Sequence, residues 1–277
     1  MDLWIGTIVL RPYVFGFIAV FLLGAGRDLG WRRALGFAAW VAPLAWACEF
    51  TSTRIGIPFG LYHYTETTRE QELFVGNVPM MDSLSFTFLT YAAFCLARGA
   101  LAGRQTPPAV IALASGVLMM LLDVVIDPVA VRGDQWFLGH IFAYAEPGAY
   151  FGVPLSNFAG WIVLGTVSVG GYLSWSRWRE ERSRRAVAGL SSPGSDAPPG
   201  HGHTGWGSPG VDRYGRRYWP GIALYYAVLA FNLVVTGWIG EWLLLLIGAG
   251  VHVMTAAVLW NVGLRPATRL GLEKQRA

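Results

Sequence analysis

The stretch Pro107–Pro128, PPAVIALASGVLMMLLDVVIDP, decides the fold class. From Ala109 to Leu122 it carries no charge. With its flanks it supplies the ~20 apolar residues that a helix needs to cross a hydrocarbon core. It ends on two acids, Asp123 and Asp127, which four-residue spacing places on one helix face. An acid inside a span is costly unless it is paired or protonated, so a span that keeps two is a candidate for chemistry.

Working outward, similar runs recur. Spans are expected near 12–29, 34–56, 78–101, 107–127, 155–177, 218–237 and 241–263. The composition agrees: 54% of residues are hydrophobic and 14% charged, against ~25% charged in soluble domains. The fold class expected is an all-α polytopic membrane protein with seven transmembrane helices and aromatic-rich outer cap loops. In the first run, Pro12 either starts the helix or kinks a longer one from Trp4. That run opens behind a single acid, Asp2, and Arg11 and Pro12 break it, so it does not read as a cleavable signal peptide. Lys274 is the only lysine, which excludes a retinal-type Schiff base within the membrane.

Basic residues set the orientation. Arg27, Arg32 and Arg33 follow the first span, Arg98 and Arg104 the third, and a dense arginine run the fifth. The opposite connections hold only Arg54, Arg69 and Arg132. This pattern predicts the cytoplasmic membrane, with the N-terminus outside and the C-terminus inside. Residues 1–177 read as a five-helix part with the site. Residues 178–217, rich in Ser, Pro and Gly, read as a disordered cytoplasmic linker, and 218–277 as a two-helix part with a basic tail. His201 and His203 fall in the linker and read as solvated rather than metal-binding. Cys48 and Cys95 suggest neither a disulfide nor a metal site.

Two outer connections, Gly56–Pro79 and Pro128–Pro154, are too apolar for solvated linkers. They are expected to fold back as caps. Glu49, Asp82, Asp123 and Asp127 all fall at the outer ends of their spans, so four carboxyls meet at one depth. Pro128 is expected to end its helix. Structural roles compete: Asp127 could pair with Arg132, Asp82 could cap its helix, Glu241 could favour a helix N-terminus, Glu146 could be a loop residue, and His252 could be a packing residue. Asp123 and Glu49 lie deepest and are the first candidates for proton donor. Asp82 and Asp127 are candidates to order a water. Asn77 and Asn157 could hold that water, and Tyr62, Tyr64, Trp136 and Tyr150 could line the pocket. No nucleotide loop, metal-ligand cluster or nucleophile–base pair is visible, and no nucleic-acid partner is expected. Buried acids beside aromatic faces suit acid chemistry on an apolar lipid, because aromatic faces stabilise a cation.

The runs Glu49–Tyr64, Gly76–Tyr91 and Asp123–Trp161, the last holding YFGVPLSNFAGW, resemble the CruF-type carotenoid biosynthesis family. Its members include carotenoid 1,2-hydratases, among them bisanhydrobacterioruberin hydratase. The resemblance covers roughly residues 12–177 well. It implies cofactor-independent addition of water to the terminal C1=C2 bond of an acyclic carotenoid ψ-end drawn from the bilayer. The product would be a tertiary 1-hydroxy carotenoid, passed on to a desaturase or glycosyltransferase. The resemblance assigns no catalytic residues, so the site rests on the buried acids. Two other readings are a carotenoid end-group cyclase, which leaves mass unchanged, and a non-enzymatic lipid or pigment carrier, which needs no acid cluster. A transporter fits less well, since no inverted repeat is apparent.

Overall fold

The computed structural model describes residues 2–190 and 211–264. Its helices are α1 (Leu3–Leu10), α2 (Pro12–Asp28), α3 (Trp31–Ile55), α4 (Met80–Ala100), α5 (Pro108–Ala130), α6 (Leu155–Leu190), α7 (Val211–Trp238) and α8 (Trp242–Leu264). Among the described residues six helices are long and apolar enough to cross a membrane, or seven if α1 and α2 count as one broken span. The chain is an all-α, multi-pass membrane protein.

Pro12 starts α2, where its missing N–H costs nothing. Arg11 forms the break, and α1 turns 84° away from α2. Pro128 does not end α5, which runs on to Ala130. A proline this close to a C-terminus removes only one bond of the last turns. α6 continues to Leu190, and α7 begins at Val211. The expected linker is therefore helical at both ends, where Arg is frequent and Pro is absent. Its middle, residues 191–210, lies outside the described residues, as does His201-Gly202-His203.

α4 is the central helix. Its spanning window is 78% buried, against 17% for α8. It touches α2, α3, α5, α6, α7 and α8. Small residues let neighbours approach, the rule for helix packing where lipid supplies no hydrophobic drive. A Cβ on Gly116 of α5 would collide with Ile162 O and Thr166 of α6, and one on Gly221 of α7 with Cys95 of α4.

The two caps join each other. β1 (Tyr62–Tyr64) from the first cap pairs antiparallel with β4 (Phe142–Tyr144) from the second, with Tyr62 opposite Tyr144 and Tyr64 opposite Phe142. A second small hairpin joins β2 (Phe74–Val75) to β3 (Val78–Pro79) just before α4. The caps are docked tightly: a Cβ on Gly160 of α6 would lie 2.7 Å from Pro58 O.

Candidate functional site

Beneath the caps lies a cavity of about 150 Å3 whose walls come from α2, α3, α4, α5, α6, α7 and both caps. Three carboxyl groups face it: Glu49 of α3, Asp82 of α4 and Asp127 of α5. Their charges act on one another, so they form one electrostatic unit. The helix directions inferred from the sequence thus bring three separate spans to one place.

Each acid is held differently. Glu49 is 3% exposed. Tyr64 donates to its Oε1 at 2.8 Å, and Ser83 Oγ is in contact with its Oε2. It has hydroxyl partners and no cation. Asp82 sits in the first turn of α4 rather than at its N-cap, which is Pro79. Arg11 Nη1 donates to Asp82 Oδ1 at 2.7 Å, and Arg11 Nη2 donates to Glu72 Oε1 at 2.8 Å. Asp82 is therefore held as half of a partly buried ion pair. Asp127 accepts from Tyr144 Oη at 2.8 Å and from Asn157 Nδ2 at 2.9 Å. It does not pair with Arg132, whose Nε lies 2.6 Å from Glu241 Oε1 as an ion pair without hydrogen-bond alignment.

Asp123 is fully buried but does not line the cavity. It stands one turn behind Asp127, and Asn157 Nδ2 donates to its Oδ2 at 2.6 Å. One amide nitrogen thus bridges both aspartates. The other oxygen, Oδ1, has no partner.

The remaining expectations divide. Asn157, Tyr62, Tyr64 and Trp136 line the cavity. Asn77 does not: it accepts from Arg54 at 2.9 Å and donates to Thr53 at 3.1 Å, tying the end of α3 to the first cap. Tyr150 packs against Phe151 and Phe158 away from the cavity wall. His252 bonds to Gly248 O at 2.9 Å within α8, and Glu146 is exposed.

Sequence reasoning did not single out Arg11, Glu72, Ser83 or Tyr144. Arg11 did carry a signal, being a lone cation within an apolar run, and such a residue is a functional candidate by default. The two cap tyrosines have a defined chemical state. Burial, with Glu49 beside it, pushes the Tyr64 phenol well above its usual range. Burial, with Asp127 and Asp123 nearby, does the same to Tyr144. Both remain O–H donors at any physiological pH.

The walls are aromatic and aliphatic. Phe86 packs at a tilt against Trp161 with ring centres 4.7 Å apart, and Phe59 stacks on Phe86 at 5.8 Å. Such faces can stabilise positive charge on a bound hydrocarbon. A cavity of this volume is benzene-sized, so it admits the end of a long isoprenoid rather than the whole molecule.

The bisanhydrobacterioruberin hydratase of Haloarcula japonica is 30% identical over 165 residues, which are 59% of this chain and 50% of that protein. The chain thus spans about half the length of that curated relative. No solved structure matches the chain. The sequence profile described as "Carotenoid biosynthesis protein" matches residues 8–192, the part that builds α2–α6 and both caps. The chain belongs to this carotenoid biosynthesis protein family.

Proposed function

We propose that the protein adds water across the terminal C1=C2 bond of an acyclic, lycopene-like or γ-carotene-like carotenoid ψ-end, giving a tertiary 1-hydroxy carotenoid. The observation that carries the reading is the benzene-sized aromatic cavity with Glu49, Asp82 and Asp127 on its wall. Family membership and the hydratase name of the Haloarcula relative support it. The caps face outward, the C-terminus lies inside, and the substrate comes from the bilayer.

Glu49 is the proton donor. Of the three acids on the wall it is the one bound by hydroxyls alone. With Glu49 protonated, Tyr64 still donates to Oε1, and Oε2–H turns from Ser83 Oγ to the substrate. The proton goes to C2, the π pair forms the new C–H bond, and the charge falls on tertiary C1. Asp82, anchored by Arg11, offers a fixed negative charge to that cation. Such preorganised electrostatics usually contribute most to catalysis. Asp127 and Asn157 orient the water, whose oxygen bonds to C1 and whose proton passes to Asp127. That proton returns to Glu49 through the hydroxyl groups and water of the cavity, completing net addition of one water. Asp123 acts from behind Asp127, through the shared Asn157 amide. A desaturase or glycosyltransferase is the downstream partner for the tertiary alcohol.

Expression in lycopene-producing cells, with pigment mass analysis, tests the reading. A product heavier by one water is expected. Unchanged mass with a new ring would indicate cyclisation instead. No modified pigment at all, from a protein that accumulates in the membrane, would leave the carrier reading.

A further inference from the structure

A second apolar hollow lies on the flank of the molecule, between α2 and α7. It is an open groove of about 420 Å3 walled by Gly16, Val20, Ala223 and Ala227, with Tyr13 and Phe17 at its inner side. It has no charged residue on its walls. Tyr13 and Phe17 also line the acid cavity. The two spaces therefore share one aromatic partition. Tyr13 stacks nearly parallel on Phe231 at 5.1 Å and 15°, and Phe17 meets Phe231 edge-on at 5.9 Å.

We propose that this seam holds the polyene body of the substrate and that Tyr13 and Phe231 form the gate through which its end passes to the acids. The inference rests on the hydratase reading for the identity of the end group, but the groove can be tested separately. Three features support a conjugated isoprenoid as the occupant. The groove abuts the acid cavity across Tyr13 and Phe17, and that cavity is itself too small for a whole carotenoid. Its small residues leave a smooth apolar channel on a face open to lipid. A rigid polyene loses less conformational freedom on lying in such a channel than a saturated acyl chain does.

Gly16 gives the test. A Cβ built there meets nothing within 4 Å, so a side chain can start from this wall of the groove without striking the protein. Gly16→Trp and Ala227→Trp plug the seam from opposite walls. Val253→Trp, at a 69% exposed position on α8, is the control. Each full-length protein is purified in detergent from cells making an acyclic forty-carbon polyene. Retained pigment per protein is read by absorbance and bound chains by mass analysis. Wild type and the control should retain polyene, and each plug should lower it at least fivefold, with product falling in parallel. Wild-type pigment and product in both plugged variants would overturn the proposal. So would finding no polyene in wild type, or a phospholipid as the chain the plugs displace. If wild type retains a displaceable polyene but makes no hydrated product, the groove stands and the hydratase reading fails.

Discussion

Arg11 sets one positive charge against two carboxylates, Glu72 at 2.8 Å and Asp82 at 2.7 Å. The guanidinium is 1% exposed. Taking away one partner of such a pair leaves uncompensated charge and typically costs about 3–5 kcal/mol. Arg11→Met should therefore lower the detergent melting temperature markedly and abolish product. The acid donor can be tested more cleanly. Glu49→Gln keeps the shape and hydrogen-bonding capacity of the side chain, so the protein should accumulate normally while product falls below about 1%. Near-normal turnover would remove Glu49 from the role. Tyr64→Phe removes one hydrogen bond, worth about 1 kcal/mol, and should slow turnover by roughly 5–10-fold without loss of folded protein. The sequence announced Glu49 and the two aspartates of α5, because an acid inside an apolar run stands out. It could not announce the Arg11 pairs, whose partners lie 61 and 71 residues away. Nor did it show that Asp123, the deepest acid, stands behind Asp127 rather than on the wall. On a helix, depth follows from sequence position, but which acid a cavity reaches depends on the neighbours.

At the scale of elements, the α5–α6 seam has little tolerance. Gly165 Cβ space ends 2.8 Å from the Cα of Gly116, and Gly116 in turn lies against the backbone of Ile162. Gly116→Leu should force the helices apart and cost about 1–3 kcal/mol. Because Asp123, Asp127 and Asn157 sit on these two helices, product should fall along with the melting temperature. A large drop in stability with full activity would show that the seam and the aspartate pair are independent. Helix positions were legible in the sequence because apolar runs mark spans directly. The angles were less so. The 84° turn at Arg11 and the extension of α6 to Leu190 depend on packing and on polar helix formers that hydropathy does not see.

Across the whole molecule, a second ion cluster joins the two sequence halves far from the caps. Asp28 at the end of α2 is 2% exposed. It accepts from Arg98 of α4 at 2.8 Å and from Arg217 of α7 at 2.8 Å. α7 also packs along α4 and α2. Residues 1–190 and 211–277 produced as two chains should therefore assemble and make product. Asp28→Ala in the first chain should weaken their co-purification at least severalfold. Failure of the unmodified halves to associate would show that the covalent connection is needed.

The pairing of β1 with β4 has a further consequence. Tyr64, the donor to Glu49, and Tyr144, the donor to Asp127, are carried by two strands of one small ribbon. Lifting that ribbon would withdraw both phenols in a single movement. The strands that line the cavity thus also supply a hydroxyl partner to two of its acids. A substitution that loosens the β1–β4 pairing should therefore reach both acids at once, whichever strand carries it.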